Sequence, residues 1–248
     1  MYGSQIVADR VQQLQAQWTR LGVFFNLEPS VFTPDIERLL LDTAQAMPQY
    51  SRFLPCTMTW LYRYEPLVAR HRLARMAAEI PDRQWSARLG LLLDFARHHT
   101  GSDHLSIVIE QCKRAEVAMP LFDVERSSPG MIELAKDLAC PRSKRWRVWT
   151  QEPDLKTDVI RPAKWLMAMN PDLRYRAIFS GNLRASILAC LNSDPQCGQS
   201  ESALARACGA TRPALREALD HLELCGLVTR KSTGWRVVIK VVPNALVA

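Results

Sequence analysis

Two groups of residues in this sequence have a type and spacing that chemistry can use. Arg212 and Arg216 stand four apart within T-R-P-A-L-R-E-A-L, and Leu215, Ala218, Leu219 and Leu222 repeat at helical spacing around them. Residues at i and i+4 share a helix face. The two guanidiniums therefore stand side by side, each a planar fork of donors suited to a phosphate or to the edge of a guanine. The second group is His98, His99, Asp103 and His104, which a metal hydrolase could use. Its spacing argues against that: His98 and His99 are adjacent and project apart, Gly101 interrupts any helix, and no H-E-x-x-H is present. A polar loop between helices is expected there, with no metal. Asp94 with Glu110 or Glu116 would make a carboxylate pair, but nothing fixes their separation and a solvated role is the default. No phosphate-cradling glycine motif or nucleophile elbow occurs. No enzymatic activity and no cofactor are expected.

The arginine pair has to be positioned by the surrounding elements, and residues 200–240 carry them. Ser200 is a helix N-cap before Leu204, Ala207 and Cys208, and Gly209 supplies a left-handed stop. Thr211 is a second N-cap, and Pro213 is tolerated in a first turn. The helix that follows turns its apolar stripe inward and leaves Arg212 and Arg216 exposed near its N-terminus. Gly226 closes it. Residues 227–231 and 235–240 then read as two strands joined by Ser232, Thr233 and Gly234. The pattern is a winged helix-turn-helix, with a recognition-type helix and a two-stranded wing.

The runs S-E-S-A-L-A, G-A-T-R-P-A-L-R-E-A-L-D-H-L and G-L-V resemble the DNA-binding domain of GntR-family regulators over about 40 residues. The resemblance implies that Thr211, Arg212 and Arg216 contact operator DNA in the major groove, and that Lys231, Ser232, Thr233 and Gly234 approach the minor groove. Ser200, Pro213 and Arg236 join them as candidate DNA-binding residues. Ser202 stands where the family usually has a DNA-contacting arginine, and the family places this domain first, whereas here it comes last. Upstream, R-A-I-F-S-G-N-L-R-A-S-I-L resembles a junction in uncharacterised bacterial proteins that put a helical region before a winged helix.

The charge distribution points the same way. Residues 1–125 hold 13 Lys+Arg and 14 Asp+Glu, residues 126–175 hold 10 and 6, and residues 176–248 hold 9 and 5. The whole positive excess lies in the second half, as a polyanion-binding surface would require. No stretch approaches the 18 or so uninterrupted apolar residues of a membrane span, and the first ten residues lack a signal-peptide core, so a cytoplasmic protein is expected. Seven cysteines without a C-x-x-C pair read as buried or inert thiols.

The remaining periodicities are helical. Helices are expected over residues 7–21, from a Thr33-Pro34-Asp35 opening through Thr43, over 53–62, through Leu67, Leu73 and Met76, over 85–97 and over 105–118. The helix at Leu67 carries Arg70, Arg72 and Arg75 beside Arg63, either a second nucleic-acid contact or, as expected, a solvated basic face balanced by Glu65 and Glu79. In residues 141–149, Arg142, Lys144, Arg145 and Arg147 interleave with Trp146 and Trp149. This is either a secondary DNA contact or a strand with a tryptophan packed inward. Helices after Pro162, after Asn170 and over 183–191 lead into the last module.

The expected fold is mainly α: a helical domain over 1–125 for dimerisation or for a ligand or protein signal, a basic connecting region over 126–175, and the winged helix-turn-helix over 176–242. The expected function is sequence-specific binding of double-stranded DNA by a homodimeric transcriptional regulator. The alternative is a replication, partition or operon-partner protein of a plasmid or mobile element using the same module.

Overall fold

The structure is a computed structural model and describes residues 2–233 and 236–242. It is mainly helical, with thirteen α-helices among the described residues and a two-stranded antiparallel sheet near the C-terminus. No described helix is long and apolar enough to cross a membrane. The chain forms two units, one of Met1–Glu65 with Ala77–Asp172, the other of Pro66–Met76 with Leu173–Ala248.

In the first unit, α1 (Tyr2–Arg20) buries Leu14 and Trp18 and ends where Gly22 takes a φ of 86°. Its Trp18 indole donates to Thr43 Oγ1 of α2 (Ile36–Ala46) at 2.8 Å and meets Trp60 of α3 (Phe53–Tyr64) edge to face, ring centroids 5.5 Å apart. Asp35 caps α2 by accepting from the Arg38 amide. A short helix α4 (Arg70–Ala78) belongs to the second unit as far as Met76. The centre of the first unit is α5 (Arg83–Thr100), capped by Asp82, and Gly101 at φ 66° ends it. Its residues from Leu89 to Ala96 are all buried, so it is walled on every side. Helices α2 and α3 pack against it, and so does the helix Pro141–Trp146.

The expected helix over 105–118 is not formed. Only α6 (Ser106–Ile109) exists there, because the later amides are taken by distant partners. The Lys113 amide donates to Ser86 Oγ at 2.8 Å and the Met119 amide to the Arg147 carbonyl at 3.3 Å. The chain is thereby drawn into β1 (Met119–Pro120). Next come α7 (Pro129–Leu138), capped by Ser128, and α8 (Pro141–Trp146), followed by β2 (Val148–Trp149), which pairs in parallel with β1. Residues 126–172 group with the first unit. The unit closes with α9 (Ala163–Met169), whose start follows Pro162.

The second unit begins with α10 (Leu173–Phe179) and α11 (Leu183–Ser193), the latter capped by Asn182. Two further helices follow, α12 (Glu201–Cys208) and α13 (Arg212–Leu224), and then the antiparallel pair β3 (Val228–Thr233) and β4 (Arg236–Val241), registered Val228 to Val241. One apolar core joins them, built on Ile187, Leu191, Leu204, Leu215, Leu219 and Ile239. Residues 195–199 run against β4 so closely that a Cβ on Gly198 would lie 2.3 Å from the Ile239 carbonyl oxygen. Residues 66–76 complete this unit. The Leu67 carbonyl accepts from buried Arg176 at 3.2 Å, and His71 and Arg75 lie against Gly209. Arg70, Arg72 and Arg75 are half-buried and do not form the solvated basic face expected of them.

Candidate nucleic-acid interface

Local chemistry fixes the two helices that carry the arginine pair. Ser200 Oγ accepts from the Ala203 amide at 3.1 Å and starts α12; Gly209, at φ 65°, stops it. A Cβ at Gly209 would meet the His71 carbonyl oxygen at 3.1 Å and Arg75 Cβ at 3.2 Å, so the turn needs glycine for both conformation and space. Thr211 Oγ1 accepts from the Ala214 amide at 3.4 Å, and Pro213 sits in the first turn where no amide donor is needed. Leu215, Ala218, Leu219 and Leu222 are buried, which turns Arg212 and Arg216 to the outside.

Both arginines are tethered to the start of α12. Arg212 Nη2 donates to Ser202 Oγ at 2.6 Å, and Arg216 Nε donates to Glu201 Oε2 at 2.8 Å with 61% of the arginine side chain exposed. Each guanidinium spends one donor on its tether and keeps the others for an external acceptor. Thr211, Arg212, Pro213 and Arg216 are thus together and exposed, with Ser200 at the adjoining helix start. The sequence did not foretell the roles of Glu201 and Ser202 as tethers; the signal was their place in the first turn before a helix stop.

Lys231 and Ser232 are exposed on β3. The backbone of Thr233 pairs in register with that of Arg236 at the end of the hairpin, and Gly234 lies outside the described residues. The hairpin is fastened to α13 by Arg230, whose Nε donates to Glu223 Oε2 at 2.8 Å and whose Nη2 lies 2.7 Å from Asp220 Oδ1. That guanidinium holds the Glu223 carboxyl below the usual carboxylate range.

The secondary candidates belong to the first unit and are arranged differently. Arg142 and Arg145 pair with buried Asp94, Arg147 donates to the Glu116 carbonyl at 2.9 Å, and Lys144 is exposed. Trp146 offers no stacking surface: it is 6% exposed and donates to Asp94 at 2.9 Å from the end of a helix, and of the two tryptophans it is Trp149 that lies on a strand. Asp94 is fully buried, unlike the solvated carboxylate expected.

The histidines converge where divergence was expected. His98 Nε2 and His99 Nε2 lie 3.5 and 3.7 Å from the same oxygen of Glu152, while the His104 amide donates to Ser102. Among the described residues no group of three or more His, Cys, Asp or Glu has the arrangement to hold a metal ion. None of the seven cysteines is in a disulfide; Cys190 and Cys208 touch at 3.6 Å in the core of the second unit, and burial pushes Cys197 up to about 12. Set against protein-family models, curated proteins and solved structures, the chain matches none.

Proposed function

We propose that this protein is a sequence-specific, double-stranded-DNA-binding transcriptional regulator whose second unit is a winged helix-turn-helix. The observation that carries the reading is the exposed pair Arg212 and Arg216 on the first turns of α13, above a stripe whose leucines are buried. The order of elements supports it: a supporting helix α11, residues 195–199 against β4, the pair α12 and α13 across a tight turn, then an antiparallel hairpin. In such a module the second helix enters the major groove by its N-terminus while the hairpin lies along the neighbouring backbone.

Lys231, Ser232, Thr233, Gly234 and Arg236 would be the hairpin contacts, and Ser200 would face a phosphate at the start of α12. One recognition helix reads too few base pairs for tight selection, so the protein acts as a homodimer on a two-fold or tandem site, with the first unit supplying the pairing. The test is selection of bound duplexes from a random-sequence pool, followed by anisotropy titration of the selected site. The reading requires an enriched motif and saturable binding that Arg216→Ala weakens by about 1–3 kcal/mol. A chain that enriches no motif, or binds every duplex alike down to low salt, is not such a regulator.

A further inference from the structure

Asp94 is surrounded by more positive charge than it can neutralise. Its carboxylate, fully buried in α5, accepts from Trp146 Nε1 at 2.9 Å and from Arg145 on Oδ2. Arg97 Nη2 lies 3.4 Å and Arg142 Nη1 3.9 Å from the other oxygen. Three guanidiniums against one carboxylate leave two positive charges in excess. Among the described residues these three arginines form ion pairs with Asp94 alone.

One close arginine would suffice to neutralise Asp94, and Arg145 already does so. Arg97 gives Asp94 one long hydrogen bond from Nη2 at 3.4 Å, and Arg142 at 3.9 Å gives none, so Asp94 orients both side chains and leaves most of their donors unused. Arg142 Nε is buried without an acceptor, a donor that calls for one. The three side chains are also accessible, at 35% for Arg97, 21% for Arg142 and 46% for Arg145. Their spacing is built in: Asp94 and Arg97 are three apart on α5, Arg142 and Arg145 three apart on α8, and those helices pack face to face.

We propose that Arg97, Arg142 and Arg145 form a binding site for a tetrahedral phosphate dianion, free or as the monoester end of a small molecule, with Asp94 as the positioning residue. Guanidinium forks bind phosphate oxygens in pairs, and a dianion cancels the excess charge. The three guanidiniums converge on the Asp94 carboxylate. A nucleic-acid backbone presents singly charged phosphates in a row, which cations in a line would match better.

The experiment is calorimetric titration of the full chain with inorganic phosphate and, separately, with phenyl phosphate, at constant ionic strength set by chloride. Wild type should bind each probe at one saturable site. Arg142→Gln and Arg145→Gln should weaken that binding at least about tenfold, while Arg147→Gln, outside the cluster, should leave it unchanged. Circular dichroism of each variant separates loss of binding from loss of fold; Arg142→Gln, whose guanidinium lies 3.9 Å from Asp94 while Arg145 stays paired with it, is the variant expected to fold as wild type. Binding of phenyl phosphate but not inorganic phosphate identifies a monoester site, and the reverse a free-ion site. The proposal is overturned if neither probe saturates, or if Arg147→Gln costs as much as Arg145→Gln. It is also overturned if only oligonucleotide binding, and no phosphate binding, depends on Arg142 and Arg145.

Discussion

Arg216 Nε donates to Glu201 Oε2 at 2.8 Å, tying the exposed face of α13 to the first turn of α12. The Arg216 side chain is mostly exposed, and such a pair contributes little to stability. Its consequence is positional: a long, rotamer-rich side chain is held at the end of α13 that would meet a nucleic acid, so less conformational freedom is lost on binding.

This relationship separates a binding role from a folding role. Arg212→Ala and Arg216→Ala should each cost about 1–3 kcal/mol of specific duplex binding, with Tm nearly unchanged. Glu201→Gln removes a negative charge that a duplex would meet and frees Arg216. It should raise affinity for random-sequence duplex and lower discrimination against it. Anisotropy titrations with selected and scrambled duplexes measure both. If Arg216→Ala binds the selected duplex as wild type does, the outward face of α13 is not the reading face.

Two left-handed glycines give a test of the second unit's construction. Gly209 and Gly226 have nearly the same φ, 65° and 68°, so alanine at either pays a conformational cost of about 1–2 kcal/mol. A Cβ on Gly226 meets nothing within 4 Å, whereas on Gly209 it meets the His71 carbonyl oxygen at 3.1 Å. Gly209→Ala should therefore destabilise more than Gly226→Ala in chemical denaturation. Equal losses would mean that residues 66–76 do not pack on the turn between α12 and α13.

The same contrast explains what was legible in the sequence. Ser200, Gly209, Thr211 and Gly226 act on amides and dihedrals a few residues away, so their types alone announced α12, α13 and the start of the hairpin. The packing of His71 and Arg75 on Gly209 spans more than 130 positions and leaves no local mark. Asp94 shows the limit most clearly. Its neighbours in sequence suggested nothing beyond a helix, and its burial depends on Arg145 and Trp146, which are more than 50 residues later. The loss of the expected helix at 105–118 has a similar origin, since Ser86 and the Arg147 carbonyl capture amides that an isolated segment would have given to its own turns.

Glu65 is a buried carboxyl that works against the fold at neutral pH. It is 4% exposed, and burial pushes it above its ordinary value despite hydrogen bonds from Ser102 and the Leu105 amide. A raised carboxyl binds more protons in the folded than in the unfolded chain between its unfolded and folded values, so stability falls as pH rises through that interval. Glu65→Gln keeps an acceptor for Ser102 and removes the charge. It should be more stable than wild type at pH 7, with the difference shrinking as pH falls toward 4. Denaturation of both proteins at the two pH values checks the sign: a variant less stable at pH 7 would show that the charged form is favoured by the fold.

Gly90 and Trp146 test how tightly α5 and α8 are fitted, and two effects of opposite sign compete there. Alanine in place of a mid-helix glycine should gain about 1 kcal/mol from helix propensity alone. The new Cβ would, however, lie 2.3 Å from one Trp146 ring carbon and 2.4 Å from another, with the indole anchored by its bond to Asp94. Overpacking of a buried ring costs about 1–3 kcal/mol or more, and Trp146 cannot retreat without giving up that hydrogen bond. The steric effect should win, and Gly90→Ala should be destabilised. Trp146→Leu alone should also be destabilised, by lost burial. The two changes together should cost less than the sum of the separate losses, because the smaller side chain removes the clash. Additive losses in the double variant, measured by chemical denaturation, would show that the Gly90 contact does not limit the approach of the two helices.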